Sequence, residues 1–147
     1  MTLCQVCGIP ADAGFFDRSS IVAAPVPGSE AVLAVFEVPR NYCGQLLYFA
    51  QYVDREIGAS QADMTTPGYA WELRLDGRPY EPYRGFEHIV NPWGLHGFPL
   101  AIRLPDAAVV ELVVRNLGTG PALCGVGGRL IGRYWYNTVY GGTPNPL

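Results

Sequence analysis

The residues with the clearest chemical spacing are Cys4 and Cys7, a C-x-x-C pair of the kind found in zinc half-sites and redox motifs. A structural zinc needs four such ligands, and a redox pair needs a strand running into a helix. Neither accompanies this pair. Cys43 and Cys124 fall in predicted strands, where cysteine behaves as a small buried hydrophobe. The histidines, His88 and His96, are separated by a loop containing Pro, Trp and Gly, whereas a metalloenzyme on a small β barrel would cluster imidazoles with a carboxylate. Ser19, Ser20, Ser29 and Ser60 lack a G-x-S-x-G setting and a paired base. Glu37, Glu72, Glu81, Glu87 and Glu111 could serve as an acid and base on a glycosidic bond. Glu37, Glu72 and Glu111, however, sit where a half-solvated sheet places surface charge. No helix follows Gly125-Val-Gly-Gly128 to offer an anion its N-terminal dipole. The expectation is a protein without catalytic residues, cofactor or metal, and not an enzyme.

Aromatic side chains are plentiful instead: three Trp, nine Tyr and six Phe. Trp93 lies in a loop, and Tyr134, Trp135, Tyr136 and Tyr140 crowd the end of the chain. Strand alternation turns at most about half of that last group inward, so the rest is expected to meet a partner. Aromatic and arginine side chains anchor protein interfaces, and the same rings can stack on a sugar. The candidate contact residues are Phe15, Phe16, Trp93, Tyr134, Trp135, Tyr136 and Tyr140.

These residues must be positioned by strands. Eighteen Gly and thirteen Pro interrupt the 147 residues so often that hardly a window is left for a helix of uninterrupted 3.6-residue period. Glu30 to Val38 alternates as a strand, with Val32, Ala34, Phe36 and Val38 on one face. Tyr42 to Val53 is a long strand in which Leu47, Phe49, Gln51 and Val53 oppose Leu46, Tyr48, Ala50 and Tyr52. Tyr69 to Leu75 points Trp71, Leu73 and Leu75 inward and Glu72 and Arg74 outward. It enters a two-residue hairpin turn at Asp76-Gly77. Arg78 to Tyr83 returns as an edge strand because Pro79 and Pro82 cannot donate to a ladder. Leu100 to Leu104, Val109 to Arg115 and Ala122 to Tyr136 complete the set. Residues 1–19 read as an irregular arm or a short first strand, residues 20–136 as one domain, and residues 137–147 as an extended tail.

About eight short strands with no helices between them predict an all-β fold: an antiparallel β-sandwich, in the form of a jelly roll. A hydrophobic fraction of 49% fills one core, which excludes disorder for the body. Net charge is −3 and every basic residue is an arginine, so no positive excess is available to hold nucleic acid. The N-terminus lacks the pattern of a secretory signal, and no apolar stretch approaches the roughly 20 residues of a membrane helix, so a soluble protein made in the cytosol is expected.

Four segments carry a family resemblance: Val26 to Pro39, Gly44 to Val53, Trp71 to Pro79, and Val109 to Asn116 together with Gly128 to Trp135. In these strands and turns the chain resembles the small jelly-roll or β-sandwich proteins on the heads of tailed bacteriophages, namely decoration (cement) proteins and vertex or fibre-base proteins. The resemblance implies a non-catalytic virion component, often trimeric, that binds the major capsid protein or other virion proteins and stabilises the head. It transfers no catalytic residue. Free termini of this composition fray unless something ties them down, so the arm and tail are expected to lie on neighbouring subunits. The alternative is a carbohydrate- or receptor-binding sandwich that stacks a glycan on Trp93, Tyr134, Trp135 or Tyr140.

Overall fold

The computed structural model of the chain describes residues 8–53, 69–80, 98–118 and 125–137. Among them are eight strands: β1 (Gly14–Ala23), β2 (Glu30–Glu37), β3 (Tyr42–Val53), β4 (Tyr69–Leu75), β5 (Arg78–Pro79), β6 (Phe98–Leu104), β7 (Val109–Asn116) and β8 (Gly125–Tyr136). They form two antiparallel four-stranded sheets, ordered β1-β8-β3-β6 and β2-β7-β4-β5. The pairing is nested: β1 joins β8, β2 joins β7, β3 joins β6 and β4 joins β5, as if one long hairpin had been rolled across two layers. The described residues contain no helix, and the expected all-β sandwich is what they form.

The core fills the space between the sheets. From the first sheet come Phe16, Leu46, Phe49, Val126 and Leu130, and from the second Leu33, Phe36, Trp71, Leu73, Leu112 and Val114. Phe16 shows how tightly the layers meet. Its ring stacks on Phe36 with centroids 3.9 Å apart and planes 6° from parallel. The room for that ring comes from its cross-strand neighbour Gly132, where an added Cβ would strike the Phe16 ring and the Gln45 carbonyl.

Turn chemistry closes the strands as the sequence suggests. Asp76 and Gly77 both take positive φ, 53° and 78°, as a two-residue type I′ hairpin requires. Asp76 Oδ1 also accepts a hydrogen bond from the Val109 backbone N–H at 2.9 Å, tying the β4–β5 hairpin to β7. Asn116 is fully buried, and its polar groups are satisfied: Nδ2 donates to the Pro25 carbonyl at 2.9 Å and Oδ1 accepts from the Gly118 N–H at 3.0 Å. That asparagine pins the β1–β2 connection to the end of β7.

Several expectations need correction. Of the two readings of residues 1–19, residues 14–19 form the short first strand and not the arm, because β1 pairs with β8 in unbroken register from Gly14–Tyr134 to Ala23–Gly125. Residues 8–13 also lie on the chain's own sheet, where Ile9 and Ala13 pack against Cys43, Trp135 and Leu47. The domain therefore begins well before residue 20. At the other end Asn137, assigned to the tail, donates its backbone N–H to the Asn41 carbonyl at 2.9 Å. Residues 1–7 and 138–147 lie outside the described residues.

Two register shifts change which side chains face inward. The β2–β7 ladder shifts between Val32 and Ala34, so Leu33 and Ala34 are both buried and Val32 and Val35 are exposed. The β3 ladder shifts between Leu46 and Tyr48, so Leu46 and Phe49 both enter the core while Tyr48 turns out. A bulge inserts one extra residue and reverses the alternation beyond it. Strict period-2 reading placed Val32 with Phe36, and Tyr48 with Leu46; both pairings are wrong.

Candidate interaction face

In an antiparallel ladder, residues directly opposite each other point to the same side of the sheet. The register of the first sheet therefore defines its two faces. Gly128 faces the core, because a Cβ added there would lie 2.6 Å from Leu112. Its neighbours in the strand, Gly127 and Arg129, face outward. The outward side consequently carries Phe15, Asp17, Ser19 and Ile21 from β1, Arg133, Ile131 and Arg129 from β8, Gln45, Tyr48 and Ala50 from β3, and exposed Arg103 from β6 opposite Gln45.

Three large apolar side chains stand exposed on this face. Phe15 is 70% exposed, Ile21 62% and Tyr48 44%, and Ile131 is half-buried between them. The charged groups in its middle form a single ion pair. Arg129 donates through Nε to Asp17 Oδ1 at 2.8 Å and through Nη2 to Oδ2 at 2.5 Å. That two-pronged bond holds the Asp17 carboxyl below the usual carboxylate range and raises the Arg129 guanidinium. Arg129 borders a shallow trough of about 400 Å³ that is lined by Ser19, Ile21 and Ala50 and also by the core-side positions Ser20, Gln51 and Gly128. One end of the face is bounded by residues 8–13. There Arg133 stacks over the Phe15 ring at 4.4 Å and donates to the Ala13 carbonyl at 2.7 Å.

The expected contact residues separate. Phe15 is on the open face. Phe16, its neighbour, is 2% exposed and belongs to the core, because adjacent strand residues point opposite ways. Trp135 is 4% exposed under Ile9 and Ala13. Tyr134 is half-buried on the core side, its ring tilted at 5.5 Å against Phe36. Tyr136 is exposed at the rim of the sandwich, edge-on to Tyr42 at 5.7 Å. Phe16 and Trp135 are thus withdrawn as contact residues. The stacking platform for a glycan loses Trp135 to burial and Tyr134 to the core side, and Trp93 and Tyr140 lie outside the described residues.

Ile21 and Tyr48 were missed. In β1 the sets Phe15, Asp17, Ser19, Ile21 and Phe16, Arg18, Ser20, Val22 have matching apolar content, so alternation cannot choose the outward one. Tyr48 was hidden by the bulge beside it.

Among the other chemical candidates, Cys43 is buried as expected. Glu37 is exposed and Glu111 half-buried, but Glu72, expected at the surface, is 1% exposed. Arg74 makes its burial tolerable, donating from Nε to Glu72 Oε2 at 2.6 Å while its terminal nitrogens bond Glu30 at 3.1 and 2.7 Å. The Arg74 bond also holds the Glu30 carboxyl below its ordinary range. Cys4, Cys7, Cys124, His88, His96, Glu81 and Glu87 lie outside the described residues. Among the described residues, no three His, Cys, Asp or Glu side chains gather as metal ligands.

Comparison of the chain with protein-family models, with curated proteins and with solved structures finds no match.

Proposed function

We propose that this protein is a non-enzymatic structural component of a virus particle, a decoration, cement or vertex protein that is made in the host cytoplasm and works by burying surface against its neighbours. The observation that carries this reading is the outward face of the β1-β8-β3-β6 sheet, where Phe15, Ile21 and Tyr48 stand exposed around one ion pair. Exposed aromatic and aliphatic side chains on one sheet face are the kind of surface that interaction sites use. The nested strand order supports assigning the sandwich as a jelly roll with two Greek keys, the architecture that capsid-associated proteins use. The partners in this reading are the major capsid protein, other virion proteins and further copies of the chain. Repetition around a symmetric shell turns individually weak contacts into strong attachment.

Copy number in purified particles tests the reading. Quantitative mass spectrometry is expected to find the chain at a fixed multiple of the shell symmetry. Protein found only in the soluble fraction of the lysate, with none on particles, would refute it.

A further inference from the structure

Among the described residues four strands bound the two sheets: β1 and β6 the first, β2 and β5 the second. An unpaired edge is a template for another strand, and proteins blunt such edges with short strands, prolines, bulges or charges. Three of the four are blunted in their geometry. Strand β5 has two residues, β6 contains Pro99, and the β2 ladder carries the shift between Val32 and Ala34. That irregular stretch is also tied down, since the Leu33 carbonyl accepts a hydrogen bond from Ser20 Oγ. Strand β1 differs. Its ten residues keep one register with β8 and include neither bulge nor proline. Asp17, Arg18 and Ser19 are exposed in succession, so water reaches this strand from its edge and not from one face alone.

Arg18 restricts what can pair there. It lies opposite Leu130 on the core side of the strand, yet it is exposed, with its guanidinium 5.6 Å from the centre of the Phe36 ring. Among the described residues no carboxylate bonds it. Asp17, its neighbour in sequence, points to the other side and is held by Arg129. Beside Arg18 the edges of the two sheets part around a cleft of about 200 Å³, lined by Ser19 and by Val32, Leu33, Ala34 and Val35. A strand added to β1 sets the side chain opposite Arg18 into that cleft. An apolar or basic side chain there would cover the guanidinium without an anion, at a cost, whereas a carboxylate completes a charge-assisted pair.

We propose that the edge of β1 accepts an extended strand of a partner protein, with an aspartate or glutamate of that strand facing Arg18. Three positions to either side of the acid, the added strand lies beside Phe15 and Ile21, which are exposed on the outward side, so apolar side chains fit there. The main-chain ladder supplies affinity and Arg18 supplies selectivity. A second copy does not meet this requirement. Paired antiparallel with its faces in line, another β1 offers Arg18 only Gly14, Phe16, Arg18, Ser20 or Val22, none of them an acid. The inference concerns the β1 edge and stands whether or not the partner belongs to a virus particle.

The test uses the full chain and two capped peptides of the length of β1, made of valine and threonine with either glutamate or lysine at the centre. Hydrogen exchange is expected to show that the glutamate peptide protects amides of β1 and leaves β6 unchanged. The lysine peptide is expected to bind roughly tenfold more weakly, the scale of one charge-assisted hydrogen bond. Arg18→Glu is expected to reverse the preference, which a purely structural role for Arg18 would not do. Arg18→Gln is expected to bind the two peptides alike. Both substitutions fall on an exposed side chain, and an unchanged exchange pattern in the core strands checks that the fold is kept. No protection of β1 by the glutamate peptide, equal binding of the two peptides by the unaltered protein, or protection confined to another edge would overturn the proposal. So would a concentration-dependent dimer of the protein that protects the same β1 amides, because a second copy would then be the occupant.

Discussion

The adjacent pair Phe15 and Phe16 allows a direct test of how β1 is oriented. Phe16→Ala removes a ring that is 2% exposed, stacked on Phe36 and seated over Gly132. Burial of that kind is worth about 3–5 kcal/mol on truncation to Ala, with the larger values where the site cannot collapse. Gly132 offers no side chain to fill the gap, so a loss of about 4 kcal/mol is expected. Phe15→Ala removes a ring that is 70% exposed and loses mainly its contact with the Arg133 guanidinium. Exposed cation–π contacts are worth about 0.5–1 kcal/mol. Urea denaturation followed by tryptophan fluorescence separates the two. With a slope of about 2 kcal/mol per molar, Phe16→Ala lowers the midpoint by about 2 M and Phe15→Ala by less than about 0.5 M. These values apply at protein concentrations where the monomer dominates, so that association does not add to stability. Equal shifts, or a larger shift for Phe15→Ala, would show that the inward and outward sides of β1 have been exchanged.

Other outcomes follow from the packing. Gln51 is fully buried on the core side and, among the described residues, neither of its amide atoms has a hydrogen-bond partner; Gln51→Met should stabilise the fold by about 1 kcal/mol, and a lower urea midpoint would contradict this. Ala107 holds φ 58°, so Ala107→Gly should raise stability by about 0.5–1 kcal/mol while Gly77→Ala, at φ 78°, lowers it by about 1 kcal/mol; calorimetric shifts of the same sign for both would contradict the backbone assignment. Asp17 and Glu30 have folded-state pKa values below their unfolded ones, so their contribution is present above about pH 4.5 and is lost as pH falls through the folded values. Each exposed pair is worth at most about 1 kcal/mol, and Arg129→Gln should flatten the acid limb of a midpoint-against-pH curve, whereas an unchanged limb would assign the acid sensitivity elsewhere.

Much of the fold was legible because local signals agreed. The alternation in Tyr69 to Leu75, the Asp76-Gly77 turn and the prolines that end strands each have a direct physical cause, and the strand bounds at Tyr42 and Val53 match what the structure forms. The bulges in β2 and β3 were not legible, since one inserted residue leaves composition unchanged and reverses only the facing. The interaction face was half legible. Phe15 was expected to make contacts, but Phe16 and Trp135 were grouped with exposed rings on content alone, without a register to divide them. Glu72 was placed at the surface by its charge, but it is buried with a bond from Arg74, which also reaches Glu30 on a strand 44 residues earlier in the chain. Such a partnership is tertiary and leaves no local mark.

The most direct test of the outward sheet face as an assembly surface is hydroxyl-radical footprinting of the free monomer against the protein on purified particles. The account predicts that Phe15, Ile21 and Tyr48 react in the monomer and are protected on the particle, while Phe16 and Trp135 stay unreactive in both. Equal reactivity of Phe15 and Tyr48 in the two states would contradict it.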